Sequence, residues 1–397
     1  MRLLNLAPHC SVPPMNGSGR RAWHLHENMV AAGVDGHFIG CHVMADRKGF
    51  SPLPGKDRRD GGKAVTALSA LLAGQDYWQR RMLRPSFRHA VAQLRIKDYE
   101  AVVIHFLYSV PLIDAWRGQQ LRLLVDTHNY DPGMFAALGN ATRNPLRRLL
   151  CRRAIRTSLS ALRALPKGAT LVHVSQSDLV AYEALRPDLN HVVVENGCRL
   201  APRDTAPDYT APGKKQLLFV GSLSVKQNQD ALHHLSRVFW PSLRGIAHLR
   251  VAGSNPSSAI TALCAAHGWE LHPNVSDAEL KALYAAAHYA LAPFAYGMGS
   301  KLKLVEACGH GVPVITTRAG ATGLPTLPPL VHVSDEPEEW KRIAQNEYPE
   351  WDIRSAQQHR SPPQELRETL DFAQGLSWSH LGTKLARIAE TASIAQI

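Results

Sequence analysis

The chain has 397 residues, 45% of them hydrophobic and 20% charged. That length suits two domains of about 150–200 residues, and the composition excludes a disordered chain. A formal charge of +12 favours anionic partners without choosing among phosphorylated substrates, acidic lipid and nucleic acid. Six scattered cysteines with no C-x-x-C pair argue against a zinc site or a disulfide framework. The first residues do not read as a secretory leader, and no run reaches the ~18–20 apolar residues of a membrane span. A cytoplasmic protein with reduced thiols is expected.

In chain order, a strand at 2–7 leads into a long loop and a helix at 20–32, then a strand at 36–43. Residues 44–75 read as irregular apart from a short helix at 65–72. A basic helix at 78–95 precedes strands at 101–106 and 121–126, the second ending in Thr127-His128-Asn129. A long basic helix at 146–165, a strand at 170–174, a helix at 176–185 and a strand at 191–194 complete the first half. The alternation restarts with strands at 216–220, 248–252, 270–272, 289–292 and 314–316, separated by helices at 229–239, 257–266, 277–286 and 301–310. Strands alternating with helices imply parallel sheets covered on both faces. The expected division is 1–200, a linker at 201–215, a second domain at 216–363 and a helical tail at 364–397 that packs back on the first domain.

In open α/β sheets, ligands bind beyond the carboxyl ends of the strands. The most informative such loop is Gly297-Met298-Gly299-Ser300-Lys301-Leu302-Lys303, which opens the helix carrying Glu306. Two glycines let backbone approach a ligand, Ser300 suits an N-cap, and free helix-end amides attract an anion. Lys301 and Lys303 oppose the helix dipole, so a bound diphosphate would account for them. Glu306, within an apolar helix, would suit a ribose diol, or it pairs with Lys303 one turn back.

This segment resembles the donor motif of the family-four retaining glycosyltransferases of the GT-B fold, E-x7-E ending in E-A-x-A-x-G-x-P-V. Glu306, Ala307, Gly311, Pro313 and Val314 match, while Met298 replaces the first glutamate, as in a subgroup with G-x-G-x-K-x-K. The resemblance implies a GT-B fold of two Rossmann-like domains facing across a cleft. It implies a glycosyltransferase moving a sugar from a nucleotide-diphosphate donor, with retention and without a metal; no D-x-D occurs in the chain. Glu306 would hold the ribose, and Gly299, Ser300 and Lys301 would meet the diphosphate.

Further matches carry further implied roles. Gly221, Ser222 and Lys226 would lie by the diphosphate, Asn274 and Val275 by the base, and Gly17 and Gly19 by donor or acceptor. Lys226 also reads as a solvated lysine. His128 would stand beside the donor sugar, with His105 a weaker candidate, though a core or turn histidine remains open for both. Asn196 and Gly197 resemble a hinge, and Gly253 a packing glycine. His128, Lys301 and Glu306 are the implied catalytic set. No cofactor is expected beyond the nucleotide-sugar substrate, with a saccharide, glycolipid or lipid-linked acceptor in polysaccharide biosynthesis.

Arg80, Arg81, Arg84, Arg88 and Arg95, and Arg143, Arg147, Arg148, Arg152, Arg153, Arg156 and Arg163, lie on two helical stretches. They read either as solvated faces or as a peripheral surface for the anionic inner face of a cell membrane. Three alternatives stand beside the transferase reading. The first is a GT-B-type sugar-nucleotide epimerase. The second is an NAD-dependent dehydrogenase, from Gly17-Ser18-Gly19-Arg20-Arg21-Ala22, although such a fingerprint should follow its strand at once. The third is a basic nucleic-acid-binding protein, for which no motif appears and which is not expected.

Overall fold

The computed structural model describes residues 1–12, 17–41, 43–46, 49–53, 63–72, 76–203, 207, 213–296, 302–322, 324, 326–345 and 364–397. The chain divides into two compact units, Met1–Glu195 with Trp378–Ile397, and Asn196–Ser377. The first boundary thus falls at 195/196 rather than 200/201, and Asn196 and Gly197 open the second unit. The expected tail splits. Helix Gln364–Gly375 belongs to the second unit, packed on α12 (Leu302–Gly309), and helix Trp378–Thr391 to the first, packed on α1 (Gly17–Ala31).

The first unit is a sheet in the order β4-β3-β2-β1-β5-β6-β7-β8. Its strands are β1 Arg2–Leu6, β2 Asp35–Ile39, β3 Val43–Asp46, β4 Gly49–Pro52, β5 Ala101–His105, β6 Gln120–Asp126, β7 Thr170–His173 and β8 Asn190–Val193. From β2 to β8 every pairing is parallel, whereas β3 and β4 add an antiparallel hairpin at the edge. β5 and β7 are buried at every residue, as strands covered on both faces must be. Leu4, Leu6, Val102, Ile104, Leu123, Val125 and Leu171 form one core. The last strand, Ile394–Gln396, returns to pair antiparallel with the start of β6.

Helices α2 (Lys63–Leu72), α3 (Tyr77–Met82) and α4 (Pro85–Ala92) follow the hairpin. The single basic helix expected at 78–95 is two, because the residue before Pro85, Arg84, is extended at ψ 155° and a proline disfavours the helical conformation there. Helix α5 (Asp131–Asn140), unforeseen, packs on α6 (Pro145–Ala164).

The second unit is a parallel six-stranded sheet in the order β11-β10-β9-β12-β13-β14. The strands are β9 Lys215–Val220, β10 Ala247–Gly253, β11 Glu270–Pro273, β12 Tyr289–Ala292, β13 Val314–Thr316 and β14 Val331–Val333. Leu217, Phe219, Leu249, Val251 and Leu291 build its core, and Phe239 stacks on Trp340 with ring centroids 4.0 Å apart.

Candidate active site

The first sheet reverses its strand order between β1 and β5, the position at which open α/β sheets bind ligands. A cluster of polar and aromatic side chains gathers at the carboxyl ends of β1, β5 and β6. Phe106 and His128, each just past its strand, adopt left-handed backbone conformations at φ +68° and +61°. Non-glycine residues rarely do so, and such conformations concentrate at functional sites. The result is a parallel stack of the two rings, centroids 4.0 Å apart and 10° from coplanar, with Tyr108 stacked on the far face of Phe106 at 4.8 Å. His9 meets Phe106 and His128 edge-on, at 4.7 and 5.2 Å.

Hydrogen bonds fix the same ring along its edge. His105 Nδ1 and His128 Nε2 share a bond of 2.8 Å, and His105 Nε2 is 3.0 Å from Asn5 Oδ1. Asp126 Oδ2 lies 3.2 Å from His105 Nδ1 and 3.6 Å from His128 Nε2. Arg21 closes the network: its Nε donates to both Asp126 oxygens, at 3.1 and 2.8 Å, and another guanidinium nitrogen donates to the carbonyl of Glu195 at 2.7 Å. Burial works against ionising Asp126, but Arg21, His128 and His105 together hold its carboxyl well below the usual range. Burial pushes His128 well below the ordinary histidine value, with His105, His9 and Arg21 adding to the shift against the pull of Asp126. The ring of His128 is therefore neutral at pH 7.

His105, Asp126 and His128 also bring three potential metal-ligand atoms within 4.8 Å. Both carboxylate oxygens of Asp126 already accept from Arg21, so a cation there would meet a guanidinium. A second chain of contacts runs from Thr127 Oγ1 through His173 (3.3 Å) to His191 (2.9 Å) and on to the carbonyl of Arg186 (2.9 Å). Asp131, in the first turn of α5, is raised to about 8 by burial and by Asp76 and Asp178.

The sequence singled out His128 and His105 of this group. It gave no sign of Asn5, Arg21 and Asp126 beyond polar residues where apolar neighbours prevail. Gly17 and Gly19, expected in a loop, stand in the first turn of α1, and Gly19 accepts a hydrogen bond from Cys10 Sγ at its carbonyl.

The second sheet reverses between β9 and β12. There Gly221 and Ser222 follow β9, and Lys303 enters from α12, the helix after β12. A Cβ on Gly221 would lie 3.2 Å from Lys303 Nζ, so the turn and the lysine are in close approach. Lys303 donates to Asn228 Oδ1 and spans the face of Phe294, 4.5 Å from its centroid. Asn228 donates in turn to the carbonyl of Ser222 at 2.8 Å. Ser222 Oγ lies 3.1 Å from Ser254 Oγ. Gly253 is needed at the end of β10 because a Cβ would fall 1.8 Å from the carbonyl oxygen of Gly221.

One turn beyond Lys303, half-buried Glu306 accepts from Tyr284 Oη at 3.4 Å, and Tyr284 stacks on His310 at 4.3 Å. Asn274, left-handed at φ +55°, uses its Oδ1 to accept from the backbone of Asn255 at 2.9 Å and ties the ends of β10 and β11 together. Val275 packs on the core. Lys226 heads α8 (Lys226–His234) and pairs with Asp230, whose carboxylate also accepts from Tyr296 Oη. Gly297, Met298, Gly299, Ser300 and Lys301 lie outside the described residues.

Residues 214–342 match the model of the family described as glycosyl transferases group 1. No curated protein sequence matches the chain. Among solved structures, WaaG, a glycosyltransferase involved in lipopolysaccharide biosynthesis, is 16% identical at a TM-score of 0.58, covering 99% of this chain and 100% of that one. Trehalose-6-phosphate synthase, analysed for glycosyltransfer with retention, is 12% identical (TM-score 0.58, 99% and 100% covered). So is the Escherichia coli structure bound with UDP-2-fluoro glucose (12%, TM-score 0.57, 99% and 100% covered). The catalytic domain of starch synthase IV from Arabidopsis thaliana, bound to ADP and acarbose, is 11% identical (TM-score 0.57, 98% of each chain). The architecture is GT-B, and the second unit carries a glycosyl transferases group 1 domain, the mark of a glycosyltransferase.

Proposed function

We propose that the chain transfers a sugar from a nucleoside-diphosphate donor to a saccharide or lipid-linked acceptor, with retention at the anomeric carbon and without a metal. The observation that carries this reading is the meeting of Gly221 and Lys303 at the reversal point of the second sheet, within the region matched by the family model. Sugar transfer leaves a nucleoside diphosphate, whose growing charge needs stabilisation. Lys303, Lys301 and the amides opening α12 supply it, and Glu306 accepts the ribose hydroxyls. His128, neutral and fixed on two sides, contributes a hydrogen-bonding ring for the donor sugar. The retaining outcome is supported by likeness to a trehalose-6-phosphate synthase studied for that chemistry. Nucleotide use is supported by relatives bound with UDP-2-fluoro glucose and with ADP.

Thermal unfolding with UDP, GDP, dTDP, ADP, CMP and NAD tests the reading. A ligand at about 100 times its Kd stabilises by about 2.7 kcal/mol, a shift of about 5–11 °C for a domain of this size. One nucleoside diphosphate is expected to give that shift, and Glu306→Ala and Lys303→Ala to abolish it. A shift with NAD alone, or with none of these ligands, overturns the proposal. Product formed without an acceptor, as an epimerised donor, points instead to the epimerase.

A further inference from the structure

Twelve large apolar side chains are exposed among the described residues, and five of them stand on two helices of the first unit. On α2, Val65, Leu68 and Leu72 share one face at helical spacing and are 59%, 57% and 80% exposed. On the first turns of α6, Leu146 and Leu149 are 43% and 41% exposed. The two helices are neighbours through α3, which packs on both. Trp78 of α3 is anchored against Phe135, ring centroids 4.6 Å apart, beside Cys151 and Ala154 of α6.

The charge around this apolar surface has one sign. Arg80 of α3 and Arg147, Arg148, Arg152 and Arg156 of α6 are exposed. Neither α2 nor residues 77–97 nor residues 132–177 contain an aspartate or glutamate. A polyanion such as nucleic acid would use the arginines and leave the leucines in water. A protein core would use the leucines and leave the arginines unmatched. A bilayer surface rich in anionic headgroups uses both, because leucine side chains enter the acyl boundary while guanidinium groups stay at the phosphates. No helix among the described residues is long and apolar enough to cross a membrane.

We propose that α2, α3 and α6 form a docking surface for an anionic phospholipid bilayer, with the apolar faces of α2 and the start of α6 as its inserting part. The inference rests on surface chemistry and stands or falls separately from the reading of the donor site.

Flotation of the full chain tests it, with vesicles of phosphatidylcholine alone and of phosphatidylcholine mixed with phosphatidylglycerol. The chain is expected to float with the mixed vesicles only, and to be released by high salt. Replacing two arginines, Arg147→Gln with Arg148→Gln, is expected to weaken binding about 30-fold, from the attraction each lysine or arginine has for such a surface. Leu68→Ser with Leu72→Ser is expected to weaken it at least about tenfold while leaving heparin binding unchanged. Leu146→Ser with Leu149→Ser gives the same test on α6 should the α2 variant fail to fold, judged by circular dichroism. Equal flotation with both vesicle types overturns the proposal. So does a folded leucine variant that floats like the unaltered chain, which would leave a general polyanion surface.

Discussion

Lowering the pH from 7 to 5 should destabilise both units, through histidines that the fold keeps neutral. Burial holds His9 and His173 at about 3, and His26 and His310 at about 4. In the unfolded chain each takes up a proton near pH 6.5, so below that value the unfolded state binds more protons and is stabilised relative to the folded one. Over this interval the difference amounts to about 2 kcal/mol for each histidine. Three of the four, His9, His26 and His173, belong to the first unit, and Asp131 in the same unit works in the opposite direction. Raised to about 8, Asp131 keeps a proton that an unfolded aspartate has lost, so the same acidification returns about 2.5 kcal/mol. From these groups the first unit should lose about 3.5 kcal/mol and the second about 2 kcal/mol through His310; His128 in the first unit and His234 and His332 in the second, held low by burial, add to the loss, while Asp76 and Asp178, raised by burial, offset part of it. Denaturant unfolding at the two pH values and constant ionic strength measures these losses. In His26→Phe, which keeps a ring against Trp23 and Phe38, the slope of stability against pH should fall by one proton. Stability that is flat or rises from pH 7 to 5, or a slope unchanged in His26→Phe, would refute the reasoning.

Arg21→Met leaves the carboxylate of Asp126 buried without its counter-ion and should cost about 3–5 kcal/mol, whereas adding Asp126→Asn should recover most of that loss; denaturant titration of the single and double variants separates the two. Gly253→Ala forces a methyl group against the carbonyl of Gly221. It should cost about 1–3 kcal/mol and remove the nucleoside-diphosphate shift, because the ends of β9 and β10 must part; scanning fluorimetry with and without nucleotide reads both effects.

The parallel strands were legible because burial on both faces leaves an unbroken apolar run, as in Ala101-Val102-Val103-Ile104 and Tyr289-Ala290-Leu291-Ala292. The break at Arg84-Pro85 was missed, because the run of arginines and apolar residues on both sides of the proline reads as one helix over 78–95. The edge hairpin of β3 and β4 was not legible either, since its strands are only four residues each and β4 opens on Gly49 at φ +115°. The helix expected at 229–239 passes through a π-helical turn at Leu235–Phe239 just before Trp240-Pro241. A proline lacks the N–H that would continue the ordinary register. Of the candidate site, Glu306 and Lys303 could be singled out because they stand in one short segment. The contacts of Asn5 with His105 and of Arg21 with Asp126 span 100 and 105 residues. Such pairs leave no periodic trace in a single sequence, and only the sheet order brings them together.

Because the first unit takes its last helix and strand from Trp378–Ile397, it is not finished when its own 195 residues have been made. During synthesis, the whole second unit emerges before helix Trp378–Thr391 can close on α1 or Ile394–Gln396 can join β6. A contact such as Gly382 against Asn28 is therefore among the last formed. The second unit, continuous in sequence, can mature first even though it comes later in the chain. Loss of a few C-terminal residues would be felt far back in the polypeptide, beside β6, the strand that leads to His128, and loss of the last helix as well would strip α1.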